Sequence, residues 1–187
     1  MNSPTLLQIV IFIVGTIIII FVSKRSLANI KVHGFYRFFV FEFILILILL
    51  NFEYWFVNPL SLQQIISWLL LLISLFMLYQ SVYLFRKLGN SSSRQNDSTN
   101  FEFENTSTLI KEGIYKYIRH PMYSSLLFLC LGAFCKHISV VSTFLAILII
   151  LFLILTAKVE EKENVQFFGS SYSDFIKETK MFIPFLF

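Results

Sequence analysis

Long apolar stretches separated by short polar ones make up most of this chain. Residues 5–22, 38–57 and 65–85 are each close to the roughly 20 residues that a helix rising about 1.5 Å per residue needs to cross a hydrocarbon core about 30 Å thick. The first is followed by Lys24 and Arg25 with no charged side chain before it, the wrong polarity for a cleaved signal peptide, so it reads as a membrane helix. The second closes on Tyr54 and Trp55, suited to an interface, and then on the turn residues Asn58 and Pro59. The third ends at Arg86 and Lys87.

Residues 88–112, with "GNSSSRQNDSTN" inside them, are too polar to form a core and read as a linker between an N-terminal region (1–87) and a C-terminal one (113–187). The apolar text resumes at 121–135, pauses at Lys136 and His137, and resumes at Val140, running without a break into "AKVEEKENVQFFG". The first arm, at roughly 22 Å, is too short to cross, so its start must sink below the membrane surface. Val140–Phe168 would reach roughly 44 Å and stand out of the membrane, with Gly169 as its cap and a short helix beyond it.

Composition turns this pattern into a class. Hydrophobic residues make up 57% of the 187 and charged ones 14%, against about 25% in soluble domains. The 23 phenylalanines exceed what a soluble core of this size can hide. The expected fold is an all-α integral membrane protein of about five transmembrane helices, the last two forming a hairpin.

The net charge of +4 does not signal nucleic acid, because fourteen of the fifteen lysines and arginines are spread over three connections and only Lys136 lies on the opposite side. By the positive-inside rule the N-terminus is outside or lumenal, and the linker and C-terminal tail are cytoplasmic. The membrane would be the inner one in a bacterium and the endoplasmic reticulum in a eukaryote. The glycosylation triplets at Asn90, Asn96 and Asn105 then lie on the side where glycosylation does not occur.

The chemistry concentrates in "GIYKYIRHPMY", residues 113–123. Pro121 suits the first position of a helix and pushes His120 out of helical geometry. Tyr115, Tyr117, Arg119, His120 and Tyr123 collect at that helix start, and the hairpin brings Glu160 and Glu161 toward them. Adjacent positions on a helix point about 100° apart, so only one of the two carboxylates is expected to face the site. Fixed positive charge, aromatic faces and a carboxylate together suit a zwitterionic nucleotide-like ligand such as S-adenosylmethionine. No glycine-rich strand-to-helix turn exists, which excludes a Rossmann-type site. His33 and His137 read as loop residues with no metal-binding pattern. Glu42 and Glu53, eleven residues apart, would share a face of the second helix as candidates for a substrate pocket.

Gly113, Tyr115, Arg119, His120, Pro121 and Tyr123, followed by Gly132, Glu160, Glu161, Phe168, Gly169, Tyr172 and Pro184, resemble the isoprenylcysteine carboxyl methyltransferase family and its phospholipid-methyltransferase relatives. The resemblance covers roughly residues 107–187. It implies an S-adenosylmethionine-dependent enzyme with a cytoplasm-facing cofactor site and a lipophilic substrate entering from the bilayer. It places Tyr115, Arg119, His120, Pro121, Tyr123, Glu160 and Glu161 at the cofactor, with Arg119, Glu160 and Glu161 catalytic, and requires no metal. The expected acceptor is the carboxylate of a prenylated cysteine. The alternatives are a phospholipid amine, an NADPH-dependent membrane reductase of related architecture, or an inactive scaffold. Ser125 stands where the family has glycine, Lys158 where it often has arginine, and Phe175 where it has a second tail tyrosine.

Overall fold

The computed structural model describes residues 4–89 and 106–186. The asparagines of the three glycosylation triplets, Asn90, Asn96 and Asn105, and Arg94 lie outside them. Within the described residues the chain forms six α-helices: α1 (Leu6–Leu27), α2 (His33–Leu50), α3 (Leu62–Leu88), α4 (Pro121–Phe134), α5 (Val140–Phe168) and α6 (Ser170–Glu178). Four of them, α1, α2, α3 and α5, are long and apolar enough to cross a membrane, and α4 is a shorter apolar helix. This is an all-α integral membrane protein, as its apolar pattern requires.

Polar caps mark several of the boundaries. Thr5 and Gln8 form a reciprocal capping box at the start of α1, and the hydroxyls of Ser61 and Ser139 accept from the third residue of α3 and α5. α5 runs for 29 residues and ends at Gly169, whose φ of 65° is open only to a residue without a Cβ at little cost.

α2 differs from its expected span of 38–57 at both ends. It begins at His33 because a carboxylate from α5, that of Glu163, accepts the His33 N–H at 2.9 Å and replaces the missing local cap. It ends at Leu50 because Asn51, fully buried, donates to the Ala133 carbonyl and accepts from Ser142, tying three helix ends together. Glu53 therefore lies in an exposed 3₁₀ turn (Phe52–Tyr54) and shares no helix face with Glu42. Glu42 faces α1, accepting from Thr16 at 3.0 Å, and lines neither of the cavities described below.

α4 and α5 are joined as a hairpin, but α4 packs chiefly on α3, and α5 on α2. Small residues make the α3–α4 contact close: Ser67 donates to the Gly132 carbonyl and Ser74 to the Ser125 carbonyl, each at 2.7 Å. A Cβ on Gly132 would come within 2.8 Å of Leu71 and 3.2 Å of the Ser67 carbonyl oxygen. Ser125 turns its own hydroxyl back to the Met122 carbonyl at 2.6 Å, so this departure from glycine is absorbed within one helical turn.

At the bundle end away from the "RHP" cluster, Lys136 is buried between two indoles, 3.3 Å from the centre of the Trp68 ring and 5.2 Å from that of Trp55. It also donates to Gln64 at 3.0 Å. Burial pushes its ammonium pKa down, and the ring faces offset part of that cost.

Candidate active site

The backbone of the "GIYKYIRHPMY" segment is set before its side chains are. Gly113 sits at φ +57°, and a Cβ there would meet Leu84 at 2.8 Å, so the position suits glycine on two counts. A 3₁₀ turn (Gly113–Lys116) then buries Tyr115 edge-on against Phe85. His120 has φ −123° and ψ 59°, outside the helix, and Pro121 opens α4.

The C-terminal tail pairs with this segment. The Arg119 and His120 N–H groups donate to the carbonyls of Lys180 and Met181 at 2.9 and 3.2 Å, and the Lys180 N–H donates to Tyr117 at 3.0 Å. Ser124 reaches the Phe182 carbonyl at 2.7 Å. The tail thus fixes the loop that carries Arg119.

Arg119 donates through Nε to Glu161 and through Nη1 to the Thr179 carbonyl at 2.8 Å, so α5 and the tail together orient its guanidinium. Both acidic residues engage the site, contrary to the expectation that one would face away. Glu161 Oε1 lies 3.4 Å from His120 Nε2, and Glu160 Oε2 lies 3.7 Å from His120 Nδ1. The buried imidazole lies between the two directions in which they leave α5, and the two ring nitrogens let both carboxylates converge on it. Tyr123 stacks under His120 with ring centres 5.4 Å apart and hydrogen bonds Glu160.

A narrow cleft of about 60 Å³ lies beside this network. Tyr115, Arg119 and Glu160 line it, together with Phe85, Phe168 and Tyr172. Tyr172 hydrogen bonds Asn164, which also lines the cleft. Burial, and then the charge of Glu160, push the Tyr172 phenol pKa up, so it stays a neutral hydroxyl. Residues 106 and 108–110, the last part of the linker, close one side. His120, Pro121 and Glu161 stand behind the wall and support it.

A second cavity of about 400 Å³ lies between α2, α3 and α4, with almost wholly apolar walls. Met122 lines both cavities, and Tyr123 and Ser125 line only the second.

Several contributors were not evident in the sequence. His33 is no loop residue: its Nδ1 lies 2.5 Å from Glu163 Oε2. Arg37, one turn further along α2, is buried, lines the second cavity, and is close enough for its charge to act on both Glu160 and His33. An i, i+4 pair of basic residues at a helix start was the available signal.

The phospholipid methyltransferase family model matches residues 62–181, from the start of α3 to the tail segment that pairs with Arg119. No curated protein matches the chain.

Proposed function

Because the chain belongs to the phospholipid methyltransferase family, a family of membrane methyltransferases, we propose that it transfers a methyl group from S-adenosylmethionine to a lipophilic acceptor, with the carboxylate of a prenylated cysteine as the first candidate. The observation that carries this reading is that one residue, Met122, lines two neighbouring cavities, one polar and aromatic, the other apolar.

The side chains that line the cleft suit the chemistry of the cofactor. Phe85, Tyr115, Phe168 and Tyr172 offer faces to a purine and to a sulfonium, the Arg119 guanidinium suits a carboxylate, and the Glu160 carboxylate suits ribose hydroxyls. When bound, S-adenosylmethionine supplies an activated methyl group on a positively charged sulfur. The chain's part is to align the acceptor opposite that group and keep water out, since in-line displacement is governed by orientation. Glu161 and the Thr179 carbonyl hold Arg119 in one pose, and the tail pairing fixes its backbone.

With a carboxylate acceptor, an O–CH₃ bond forms as the S–CH₃ bond breaks, and no proton needs to move. With a phospholipid amine, which the family match favours as the second reading, the ammonium proton must first pass to a base. Glu160 stands at the cleft wall to take it. The clustering of basic residues at this end of the bundle supports a cytoplasmic orientation for it.

Equilibrium binding of labelled S-adenosylmethionine to the purified protein tests the reading, with saturable binding expected and none overturning it. Methyl transfer in membranes then separates the acceptors: a methyl ester releases labelled methanol in mild base, and a methylated amine keeps its label.

A further inference from the structure

Three carboxylates leave α5 within four positions: Glu160, Glu161 and Glu163, all half-buried. Arg119 answers Glu161, and His33 answers Glu163 through its N–H at 2.9 Å and its Nδ1 at 2.5 Å. Glu160 has the Tyr123 hydroxyl and His120, whose Nδ1 lies at 3.7 Å and whose Nε2 is turned to Glu161. One imidazole carries at most one positive charge, and two carboxylates converging on it favour taking up a proton over standing charged side by side. Glu160 stands about 30 Å along α5 from Val140, where the hydrocarbon core ends and water can supply that proton. A site that uses Glu160 as a carboxylate therefore needs a second cation.

The first turns of α2 bring one. Arg37 is buried, and its charge acts on Glu160. Tyr123 links the two sides, since it lines the same groove as Arg37 and hydrogen bonds Glu160. We propose that Arg37 is a positioning residue of the candidate active site: from α2 it supplies the counter-charge that keeps Glu160 an unprotonated carboxylate at the cleft wall. Arg37 does not line the cleft, so it acts through Glu160. His33 sets its place, because the grip of Glu163 on His33 fixes the start of α2 on α5, and Arg37 lies one turn further along. Both residues precede residue 62, where the family match begins, so this part of the site comes from the N-terminal half of the chain.

The other titratable groups around Glu160 among the described residues do not replace Arg37. Glu161 and Glu163 on its own helix add negative charge, and Tyr123 in α4, Tyr115 ahead of it and Tyr172 in α6 are phenols. Arg119 and His120 are both engaged by Glu161, and His33 is engaged by Glu163. The consequence for catalysis rests on the methyltransferase reading: only an unprotonated carboxylate can take the proton of an amine acceptor, and it is the stronger partner for ribose hydroxyls. The charge relation between Arg37 and Glu160 does not depend on that reading.

The test has one arm without cofactor and one with it. In the first, the full chain in alkyl-maltoside micelles, carrying ¹³C at its glutamate carboxyl groups, is acidified stepwise, and the carboxylic-acid carbonyl band is followed by infrared difference spectroscopy. Arg37→Gln should gain a protonated carboxyl at a pH about one or more above that of the parent, the usual effect of losing a nearby cation. Arg37→Lys should keep most of the parent profile, and the gain should vanish when Glu160→Gln is added to Arg37→Gln. An unchanged profile in Arg37→Gln, or a gain that survives Glu160→Gln, overturns the proposal. Should Arg37→Gln fail to fold, the double variant decides: recovery of folding with Glu160→Gln supports an unanswered carboxylate as the cause, and continued failure overturns it. In the second arm, labelled S-adenosylmethionine is bound at about pH 6 and about pH 8, and the loss of affinity in Arg37→Gln should be at least about tenfold greater at the lower pH. An equal loss at both overturns the positioning role. No binding by the parent, with the infrared result as expected, sinks the methyltransferase reading and supports the charge relation, so the two failures leave different signatures.

Discussion

His33 and Glu163, 130 positions apart in the chain, meet through two contacts: the His33 N–H donates to Oε1 at 2.9 Å, and Nδ1 lies 2.5 Å from Oε2. One carboxylate thereby serves as the N-terminal cap of α2 and as the partner of its first side chain. Glu163→Ala removes both and should lower stability by about 1–2 kcal/mol, the usual loss for a cap and a buried polar contact. Glu163→Gln, whose amide oxygen still accepts from the N–H, should lose less. Thermal unfolding in detergent distinguishes them, and equal losses would argue against the cap.

Arg119 is fixed by a side chain on one side and a main-chain carbonyl on the other. Lysine offers charge without this forked geometry. Arg119→Lys should therefore weaken S-adenosylmethionine binding at least tenfold, nearly as much as Arg119→Ala. Calorimetry or equilibrium dialysis checks this, and near-normal binding by the lysine variant would mean that charge alone suffices.

The two acidic neighbours should give different kinetics. Glu160 lines the cleft, whereas Glu161 stands behind it holding Arg119. Glu160→Gln should raise the KM for the cofactor about tenfold. Glu161→Gln should lower kcat/KM by about a hundredfold, because a misplacement near 1 Å costs that much in an alignment-controlled reaction. Restoration of the cofactor site by Arg119→Ala in the Glu161→Gln background would contradict the positioning role.

Tyr172 carries an alkaline signature. Its buried phenol has a pKa raised above the ordinary value near 10, so the folded state holds the proton more tightly than the unfolded state. The associated stability is complete below about pH 10 and falls as the pH rises from there toward the folded-state pKa. Tyr172→Phe should flatten that decline and remove a late-titrating phenolate at 295 nm. A decline identical in parent and variant would assign it elsewhere.

Gly132 tests the α3–α4 contact. A Cβ there meets Leu71 at 2.8 Å and the Ser67 carbonyl oxygen at 3.2 Å, and backbone yields poorly. Gly132→Val should cost about 1–3 kcal/mol through overpacking. Ser125→Gly, by contrast, removes a hydroxyl bonded only within its own turn and should leave methyl transfer within about twofold of the parent. A large gain in activity would show that the serine obstructs the groove.

The sequence carried the membrane helices, the short α4 arm beginning at Pro121, the 29-residue α5 with its glycine end, and the Tyr115, Arg119 and Glu160 trio of the cleft. These features follow from local rules: apolar length, proline's missing N–H, glycine's access to positive φ, and a motif whose two halves lie on consecutive helices. The start of α2 was not legible, because its cap comes from Glu163 and no local signal marks it. Nor were the convergence of Glu160 and Glu161 on one imidazole, the absorption of Ser125 into its own turn, and the position of Arg37 in the wall of a groove between three helices. Each depends on which helix lies beside which: α2 on α5, and α3 on α4. In an apolar solvent many pairings bury lipid-facing side chains equally well. Small residues and buried hydrogen bonds choose among them, and their partners are known only once the helices have met.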